Sequence, residues 1–583
     1  MSAKSARRWI AATAATAAVS LYVLAARGMA VGAAEDDALQ LLLARALRRG
    51  AYAFPDGTPA NDPLPGFAAL LALASALVQP HWDLLKLIGL ASAAAVIYLT
   101  WKLARRFLEG NWALAAAGLT ALSPLMLIHA GLILPDLPYL ALSLLLFDRL
   151  ADAGFAASPA MIAAAAAACL LRPQGAVLVA ALALALAAAK GARRAARFAV
   201  PALAPLALWT LRNRLLTGSG SGYLLNMRAE IAALAEPRNA VLHAGGLLAA
   251  LGGDGLLSFG RSLPLGGLVA AGASALALAA AGAVRLVRKE DARAFAIASY
   301  ASSLLALQAV WMPLEPRYVL PLLPLAWIMI LSASAPYLRA RRAPALLFAL
   351  LAFPALRLDM ALAAPGLRGP ARFQPRTMTW LAENAAPGAL IETLEPRTVE
   401  LLSGRRADLP DFDAGERDGW LADALRRRVE YVHVVSTFAA GGFFTPGMRR
   451  VAELSGAWCR STPYAAPVFH DDEEGTAVFR LSHPDPDRYL KAWAAFQDGA
   501  AALRRGERPA VVRARLDEAT RLEPRLALAW ALRSFVELDP ARGRRLLEKA
   551  AALDPTSPLI RRALDGPPAP GQQARPSLLR SPL

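Results

Sequence analysis

Apolar segments separated by short polar loops occupy most of the first 362 residues of the chain. A helix needs about 20 apolar residues to cross the hydrocarbon core of a bilayer, so such segments predict membrane spans. Eleven are predicted, at residues 9–26, 84–103, 112–129, 137–150, 159–171, 175–189, 198–215, 265–286, 292–312, 318–335 and 344–362. Some are short for a full crossing, and helices that stop inside a bilayer often line a cavity. The pattern predicts an α-helical polytopic membrane protein with about eleven transmembrane helices.

Basic residues decide how the segments are arranged. With the N-terminus in the cytoplasm, every strong basic cluster between spans falls on the cytoplasmic side, as the positive-inside rule requires. The clusters are Lys102/Arg105/Arg106, Lys190/Arg193/Arg194/Arg197, Arg285/Arg288/Lys289/Arg293 and Arg339/Arg341/Arg342. The short, proline-led segment Pro65–Val78 would break this pattern as a span, so we expect it to form an interfacial helix. The exceptions, Arg45, Arg48 and Arg49, are expected outside, on the polar face of another interfacial helix.

Composition supports a membrane protein and argues against other classes. The 583 residues are 56% hydrophobic and only 19% charged, which is unusual for soluble domains of this length. The net charge of +18 is explained by the cytoplasmic basic clusters, so no nucleic-acid partner is expected. The two cysteines, Cys169 and Cys459, indicate neither a disulfide framework nor a thiolate metal site. The first segment could be a cleaved signal peptide, but the membrane-embedded remainder favours a retained first span.

The composition changes after the last apolar segment. Residues 365–482 mix strand-like and helical patterns, which predicts a small α/β domain, and an odd number of spans places it outside the cytoplasm. Residues 485–565 are helical, and a helix end followed by proline recurs at Pro524 and Pro555. This spacing is typical of tetratricopeptide-like repeats, which often bind a protein partner. Residues 566–583, rich in Pro, Arg and Ser, are expected to be disordered.

The predicted topology brings six charged residues to the outer face of residues 1–364. They are the acids Asp36, Asp37 and Asp136 and the arginines Arg172, Arg212 and Arg317. Acids and arginines at one membrane face are typical of a site that binds a phosphate and moves a proton. Simpler interpretations remain open, because the acids could cap the helices that follow them and Arg317 could snorkel to the interface.

Several short motifs carry a resemblance to a known family. They are Asp36-Asp37 followed by Gln40, Ala44 and Gly50; Asn61-Asp62-Pro63-Leu64-Pro65-Gly66; Leu171-Arg172-Pro173-Gln174-Gly175; Trp209-Thr210-Leu211-Arg212-Asn213; and Pro316-Arg317-Tyr318-Val319-Leu320-Pro321. In this order the motifs resemble those of membrane glycosyltransferases that use polyprenyl-phosphate sugars, the C-type clan of protein mannosyltransferases and aminoarabinose transferases. The chain departs from the family at Gln40, where an aromatic residue is usual, and at Gln174, which replaces an acid.

The resemblance implies a transferase that takes a sugar from a polyprenyl-phosphate donor, with inversion, in the bacterial inner membrane. Asp36 would be the general base, which the spacing to Gly50 favours over Asp37. Asp136 would orient the acceptor or an arginine, or hold a divalent metal as in a minority of relatives; we expect no metal and no other cofactor. Arg172, Arg212 and Arg317 would bind the donor phosphate. The expected partners are therefore this donor and membrane lipid.

Two other functions remain open. A catalytically inactive relative could act as an envelope scaffold through its outer domain and repeats, and the departures at Gln40 and Gln174 leave room for this. A transporter or flippase would carry charges in the middle of its spans and inverted repeats between its halves. The charges of this chain lie at span ends, which disfavours transport.

Overall fold

The computed structural model describes residues 3–565 except 33, 79–80, 153, 219–230, 232–233, 235, 259–262, 311–315, 339–342, 412–414 and 436–445. The chain divides into two compact units, Met1–Phe373 and Gln374–Leu583. The predicted disordered tail, 566–583, lies outside the described residues.

The first unit is helical. Its α-helices are α1 Ala3–Gly28, α2 Glu35–Arg48, α3 Pro65–Val78, α4 Lys86–Ala104, α5 Asn111–Ala121, α6 Pro124–Gly131, α7 Asp136–Arg149, α8 Pro159–Leu171, α9 Gln174–Lys190, α10 Ala192–Thr217, α11 Pro237–Ala250, α12 Leu265–Val287, α13 Ala292–Val310, α14 Leu323–Ser334 and α15 Ala343–Arg368. Short 3₁₀ helices cover Trp82–Leu85, Phe155–Ala157 and Pro316–Leu322, and a π-helical turn covers Leu251–Gly255.

Several of these helices have the length and apolar composition of membrane spans. Within the described ranges, five pass on both criteria, and a sixth results if α5 and α6 count as one span bent by 52°. The count of about eleven full spans is therefore not reached. Helices such as α7, with 14 residues, extend only about 21 Å at 1.5 Å per residue, less than a bilayer core of about 30 Å.

Helix packing in the first unit surrounds a core of buried apolar side chains. Helix α1 packs along α15, α4 along α7, and α9 lies against both α10 and α13. Among the polar contacts inside this core, one joins the hydroxyls of Tyr139 and Tyr300 at 2.8 Å. The amphipathic α2 packs on α3, the helix expected at the interface.

The second unit combines a five-stranded sheet with nine helices among its described residues. The elements are α16 Pro375–Asn384, β1 Leu390–Glu392, α17 Pro396–Ser403, β2 Arg406–Asp408, α18 Arg417–Arg427, β3 Val429–Val435, α19 Pro446–Ser461, β4 Ala465–Asp471, β5 Thr476–Leu481, α20 Pro486–Arg504, α21 Pro509–Leu522, α22 Ala527–Phe535, α23 Pro540–Leu553 and α24 Pro558–Asp565. The strand order is β2-β1-β3-β5-β4; β1 is parallel to β2 and β3, and β5 is antiparallel to β3 and β4.

The helices after the sheet form two antiparallel pairs, α20 with α21 and α22 with α23. Their apolar side chains join those of the sheet in one hydrophobic cluster, which includes Val432 and Phe479 from strands and Trp493 and Leu532 from the later helices. A paired-helix arrangement agrees with the repeat pattern, but the assignment to tetratricopeptide repeats stays a prediction.

A buried guanidinium connects these parts of the second unit. Arg417, 4% exposed, pairs with Asp418 at 2.9 Å and lies 3.7 Å from Asp554. It also donates to the main-chain oxygens of Ser461 and Leu553 at 3.2 and 2.7 Å. One side chain thus joins the end of α19 to the end of α23.

Candidate active site

A cavity of about 270 Å³ lies inside the first unit, where several helix ends meet. It is bordered by the first turn of α2, the loop before α3, the start of α7, the α8–α9 turn, the end of α13 and the 3₁₀ helix Pro316–Leu322. Four charged residues of the described chain line it: Asp36, Asp136, Arg172 and Arg317. These residues come from four separated parts of the chain, so the fold brings together most of the predicted site.

Asp136 is the buried acid of the cavity. It is the first residue of α7, its side chain is 3% exposed, and Pro135 rather than Asp136 is the N-cap. Its carboxylate forms an ion pair with Arg172, and Nε2 of His129 lies 3.9 Å away. His129 Nδ1 donates to the Leu125 carbonyl at 2.7 Å, which fixes the ring with Nε2 facing the acid.

Arg172 lies on the tight turn between α8 and α9. Pro173 has no backbone N–H to continue the hydrogen bonds of α8, and it is the N-cap of α9. Gly175 then allows the two helices to approach closely, because a Cβ there would meet the Ala168 carbonyl oxygen at 2.5 Å. Gln174 accepts a hydrogen bond from Arg172 Nε at 3.3 Å. The turn therefore holds the guanidinium against Asp136.

Asp36 and Arg317 form the second ion pair, which is more open. The Asp36 side chain is 45% exposed and that of Arg317 is 17% exposed. Both arginines lie near the Tyr318 ring, whose centroid is 5.3 Å from the Arg317 guanidinium carbon and 5.9 Å from that of Arg172. The cavity thus holds two acid–arginine pairs, with both guanidiniums close to one aromatic ring.

Asp37 lies outside the cavity, in the protein interior. It is 1% exposed, and its Oδ2 accepts a hydrogen bond from the Gly32 N–H at 3.2 Å. Burial raises the pKa of Asp37 to about 7, although nearby backbone N–H groups and Lys86 favour the charged form. The N-cap of α2 is Ala34, so neither adjacent acid occupies that position.

Arg212 also lies apart from the cavity. Near the C-terminus of α10 it donates to the Ala60 carbonyl at 2.8 Å and to the Tyr52 carbonyl at 3.3 Å, and its guanidinium carbon is 4.4 Å from the Trp209 ring centroid. These contacts hold the loop that leads to Pro63 and Leu64, which line the cavity. Of the three predicted phosphate-binding arginines, the structure brings Arg172 and Arg317 together and places Arg212 elsewhere.

Sequence reasoning did not select Gln308, Tyr318 and His129 as site residues, although the first two line the cavity and the third faces Asp136. Gln308 had a visible signal, because it is a lone amide within the apolar segment 292–312. In the part of the chain that the structure describes, no three His, Cys, Asp or Glu side chains cluster as metal ligands would.

Comparisons with known proteins give distant structural likenesses. The oligosaccharyltransferase of Archaeoglobus fulgidus, solved with zinc and sulfate, has 14% identity and a TM-score of 0.46 over 77% of this chain and 69% of its own. ArnT of Cupriavidus metallidurans in the apo state has 14% identity and a TM-score of 0.49 over 82% and 100%. The same protein with undecaprenyl phosphate bound has 14% identity and a TM-score of 0.48 over 82% and 99%.

No family model and no curated protein matches the chain. Because the three TM-scores are below 0.5, the candidate site stands on the geometry of its own residues.

Proposed function

We propose that this protein is a membrane glycosyltransferase that moves a sugar from a polyprenyl-phosphate donor to an acceptor hydroxyl, with inversion of the anomeric carbon. One observation carries the proposal: two acid–arginine pairs, Asp36–Arg317 and Asp136–Arg172, line a single cavity among apolar helices. This combination supplies a base for the hydroxyl and cations for the phosphate at the same place.

The arginines suit the donor phosphate. A guanidinium binds phosphate oxygens through paired hydrogen bonds, and it keeps its charge at any physiological pH. Arg172 and Arg317 both line the cavity, and their guanidinium carbons lie 5.9 and 5.3 Å from the same Tyr318 ring, so a phosphate in the cavity can contact both. Positive charge at this position stabilises the negative charge that develops on the leaving phosphate. We assign donor-phosphate binding to these two arginines, and loop positioning to Arg212.

Asp36 suits the role of general base. It lines the cavity with a half-exposed carboxylate, whereas Asp136 is enclosed by Arg172 and His129. In the proposed step the acceptor oxygen forms a bond to the anomeric carbon, and its proton passes to Asp36. The bond from the anomeric carbon to the phosphate oxygen breaks, and polyprenyl phosphate leaves with the electron pair. Asp136 keeps Arg172 in place during this exchange.

The cavity would open on the extracytoplasmic side of a bacterial inner membrane, with the N-terminus in the cytoplasm and the second unit outside. The reaction as proposed uses no cofactor and no metal. The paired helices α20–α23 would offer a surface to a protein partner.

The test uses the full-length protein in lipid nanodiscs. Radiolabelled sugars on polyprenyl phosphate are supplied with a cell-envelope fraction as acceptor, and sugar transfer is measured. Asp36→Asn is expected to lower the turnover by about 10²- to 10⁴-fold, because general base catalysis contributes on that scale. Binding of undecaprenyl phosphate should persist. Asp56→Asn is the matched control: Asp56 is exposed, and asparagine can still accept the hydrogen bond from Thr58.

Unchanged transfer by Asp36→Asn would remove Asp36 from the role of base. Wild-type protein that binds undecaprenyl phosphate but transfers no sugar from any donor would favour the inactive scaffold.

A further inference from the structure

Three carboxamide side chains line the same cavity, each from a different element. They are Gln40 on α2, Gln174 on α9 and Gln308 on α13. Gln308 is 3% exposed and Gln174 is 6% exposed, while Gln40 is half-buried. Two of them stand where the resembling family has other chemistry, since an aromatic residue is usual at position 40 and an acid at position 174. The described wall of the cavity thus carries three neutral amides.

These amides are incompletely satisfied by the protein. No described residue hydrogen-bonds the side chain of Gln308, although its main-chain oxygen accepts from His243 at 2.9 Å and so holds the backbone in place. The Gln40 side-chain oxygen is shielded from solvent and lacks a hydrogen-bond partner among the described residues. Gln174 uses its oxygen for Arg172, which leaves its two amide hydrogens for another acceptor. An unpaired buried polar atom such as the Gln40 oxygen is costly, and a ligand in the cavity that hydrogen-bonds the three amides would be favoured.

The charges of the cavity also limit which kind of sugar it can bind. Two carboxylates and two guanidiniums line it among the described residues, and they are paired with each other. Under the proposed function a donor phosphate occupies the guanidiniums, and Asp36 receives the proton of the acceptor. Among the described residues of the wall, no further cation remains for an acidic sugar. The three amides are neutral hydrogen-bonding side chains on the described wall, and they match uncharged hydroxyls, which both donate and accept.

We infer that the transferred sugar is an uncharged, polyhydroxylated sugar whose hydroxyls are bound by Gln308, Gln174 and Gln40. This inference rests on the proposed function and deepens it, because it names the substrate class of the same cavity. A site built to hydrogen-bond hydroxyls discriminates strongly against a substrate that leaves its buried polar groups unpaired. The ammonium of an amino sugar would compete with the acceptor for Asp36, and the carboxylate of a uronic acid would compete with the donor phosphate for Arg172 and Arg317.

The first experiment measures donor preference by the full-length wild type in nanodiscs. Three donors carry the same undecaprenyl phosphate and differ only in the sugar: a neutral hexose, an amino sugar and a uronic acid. The neutral donor is expected to have the highest kcat/KM, by about 100-fold or more, because the charged groups would compete with the acceptor or the donor phosphate for their partners in the cavity. A charged donor used as well as or better than the neutral one overturns the inference and leaves the proposed function standing.

The second experiment tests the amides directly. Gln308→Leu is expected to lower kcat/KM for the neutral donor by about 10- to 100-fold, because a side-chain hydrogen bond to the sugar is lost. Affinity for undecaprenyl phosphate without a sugar should stay unchanged. Gln308→Glu places a carboxylate beside the sugar and should raise the relative use of the amino-sugar donor at least about tenfold. Gln497→Leu, on the exposed face of α20, is the matched control and should behave as the wild type.

Unaltered sugar transfer by Gln308→Leu, with normal binding of undecaprenyl phosphate, contradicts the role of Gln308. If Gln308→Leu does not fold, the donor preference of the wild type decides the question alone. A wild type that transfers none of the three sugars overturns the proposed function, and the inference with it.

Discussion

At the residue scale, Asp36 and Asp37 are neighbours in the first turn of α2 with very different surroundings. Successive side chains on an α-helix point about 100° apart, so one carboxylate faces the cavity while the next faces the interior. Asp36 is half-exposed beside Arg317, and Asp37 is 1% exposed beside Gly32. The sequence motif identified the pair, and only its spacing to Gly50 favoured Asp36. The structure places Asp36 on the cavity wall beside Arg317, and its catalytic role stays a prediction.

Asp37→Asn is expected to change how stability depends on pH. The pKa of Asp37 is raised to about 7 in the folded protein, so its protonated form favours folding. This contribution is present below the unfolded pKa of about 4 and is lost as the pH rises through about 7, by up to about 4 kcal/mol at 1.36 kcal/mol per pKa unit. Asparagine keeps an acceptor for the Gly32 N–H and does not titrate. The thermal unfolding midpoint, measured in nanodiscs from pH 5 to 8, should therefore fall less steeply with rising pH for the variant than for the wild type.

Asp56→Asn provides the comparison for this measurement, because Asp56 is exposed. Its unfolding profile should run parallel to that of the wild type. If the unfolding midpoints of Asp37→Asn and the wild type changed equally with pH, Asp37 would not be the group that controls the pH dependence of stability.

At the scale of elements, local sequence signals predicted the turn between α8 and α9. They were less successful in predicting which apolar segments form one unbroken helix. Proline and glycine in the motif at residues 171–175 indicate a sharp, close turn, and the structure has one there. The predicted span 112–129 is instead two helices, bent by 52°, because Pro124 starts α6 after a break at Leu122 and Ser123. Hydropathy alone cannot detect such a break, since both helices are apolar. Pro124 itself was the available signal.

Gly175→Ala should loosen the α8–α9 turn and displace Arg172. Its added methyl group would meet the Ala168 carbonyl oxygen and the Cys169 Cα, both at 2.5 Å. Overpacking of this kind costs about 1–3 kcal/mol. We expect a lower thermal unfolding midpoint in nanodiscs and weaker binding of undecaprenyl phosphate.

Gly245→Ala is the matched control for that substitution. Gly245 lies inside α11 with open space around its Cα, so alanine should stabilise the helix by about 0.5–1 kcal/mol. If both glycine variants had the same unfolding midpoint and lipid affinity, close packing at Gly175 would not be what holds Arg172.

At the scale of the whole molecule, the sequence predicted the order of the parts better than their internal connections. A helical first part, then a mixed part with strands, then paired helices all occur in that order. The sequence predicted residues 365–482 and 485–565 as separate parts. In the structure, the sheet and the later helices share one hydrophobic cluster. That cluster joins side chains far apart in the chain, such as Val432 and Trp493. Composition along the sequence carries little information on such contacts.

Arg417→Met is expected to destabilise the second unit as a whole. The substitution leaves Asp418 and Asp554 buried without their common cation, and breaking such a pair costs about 3–5 kcal/mol. Because Arg417 joins the ends of α19 and α23, the sheet and the helices should become sensitive to protease together. Limited proteolysis of the full-length protein, followed over temperature, measures this.

Arg521→Met is the control, because Arg521 forms an exposed pair with Glu518 that is worth at most about 1 kcal/mol. Cleavage confined to α22–α24 in Arg417→Met, with the sheet still protected, would show that the two parts unfold independently.

The ion pair between Asp36 and Arg317 implies an order of substrate binding under the proposed function. A carboxylate engaged by a guanidinium has a lone pair committed to that contact, and less is left for the proton of a hydroxyl. A phosphate that binds Arg317 competes for the same N–H groups and frees Asp36. An acceptor or a water molecule that arrives first therefore meets an occupied carboxylate. Steady-state kinetics should therefore follow a compulsory order, in which the donor binds before the acceptor.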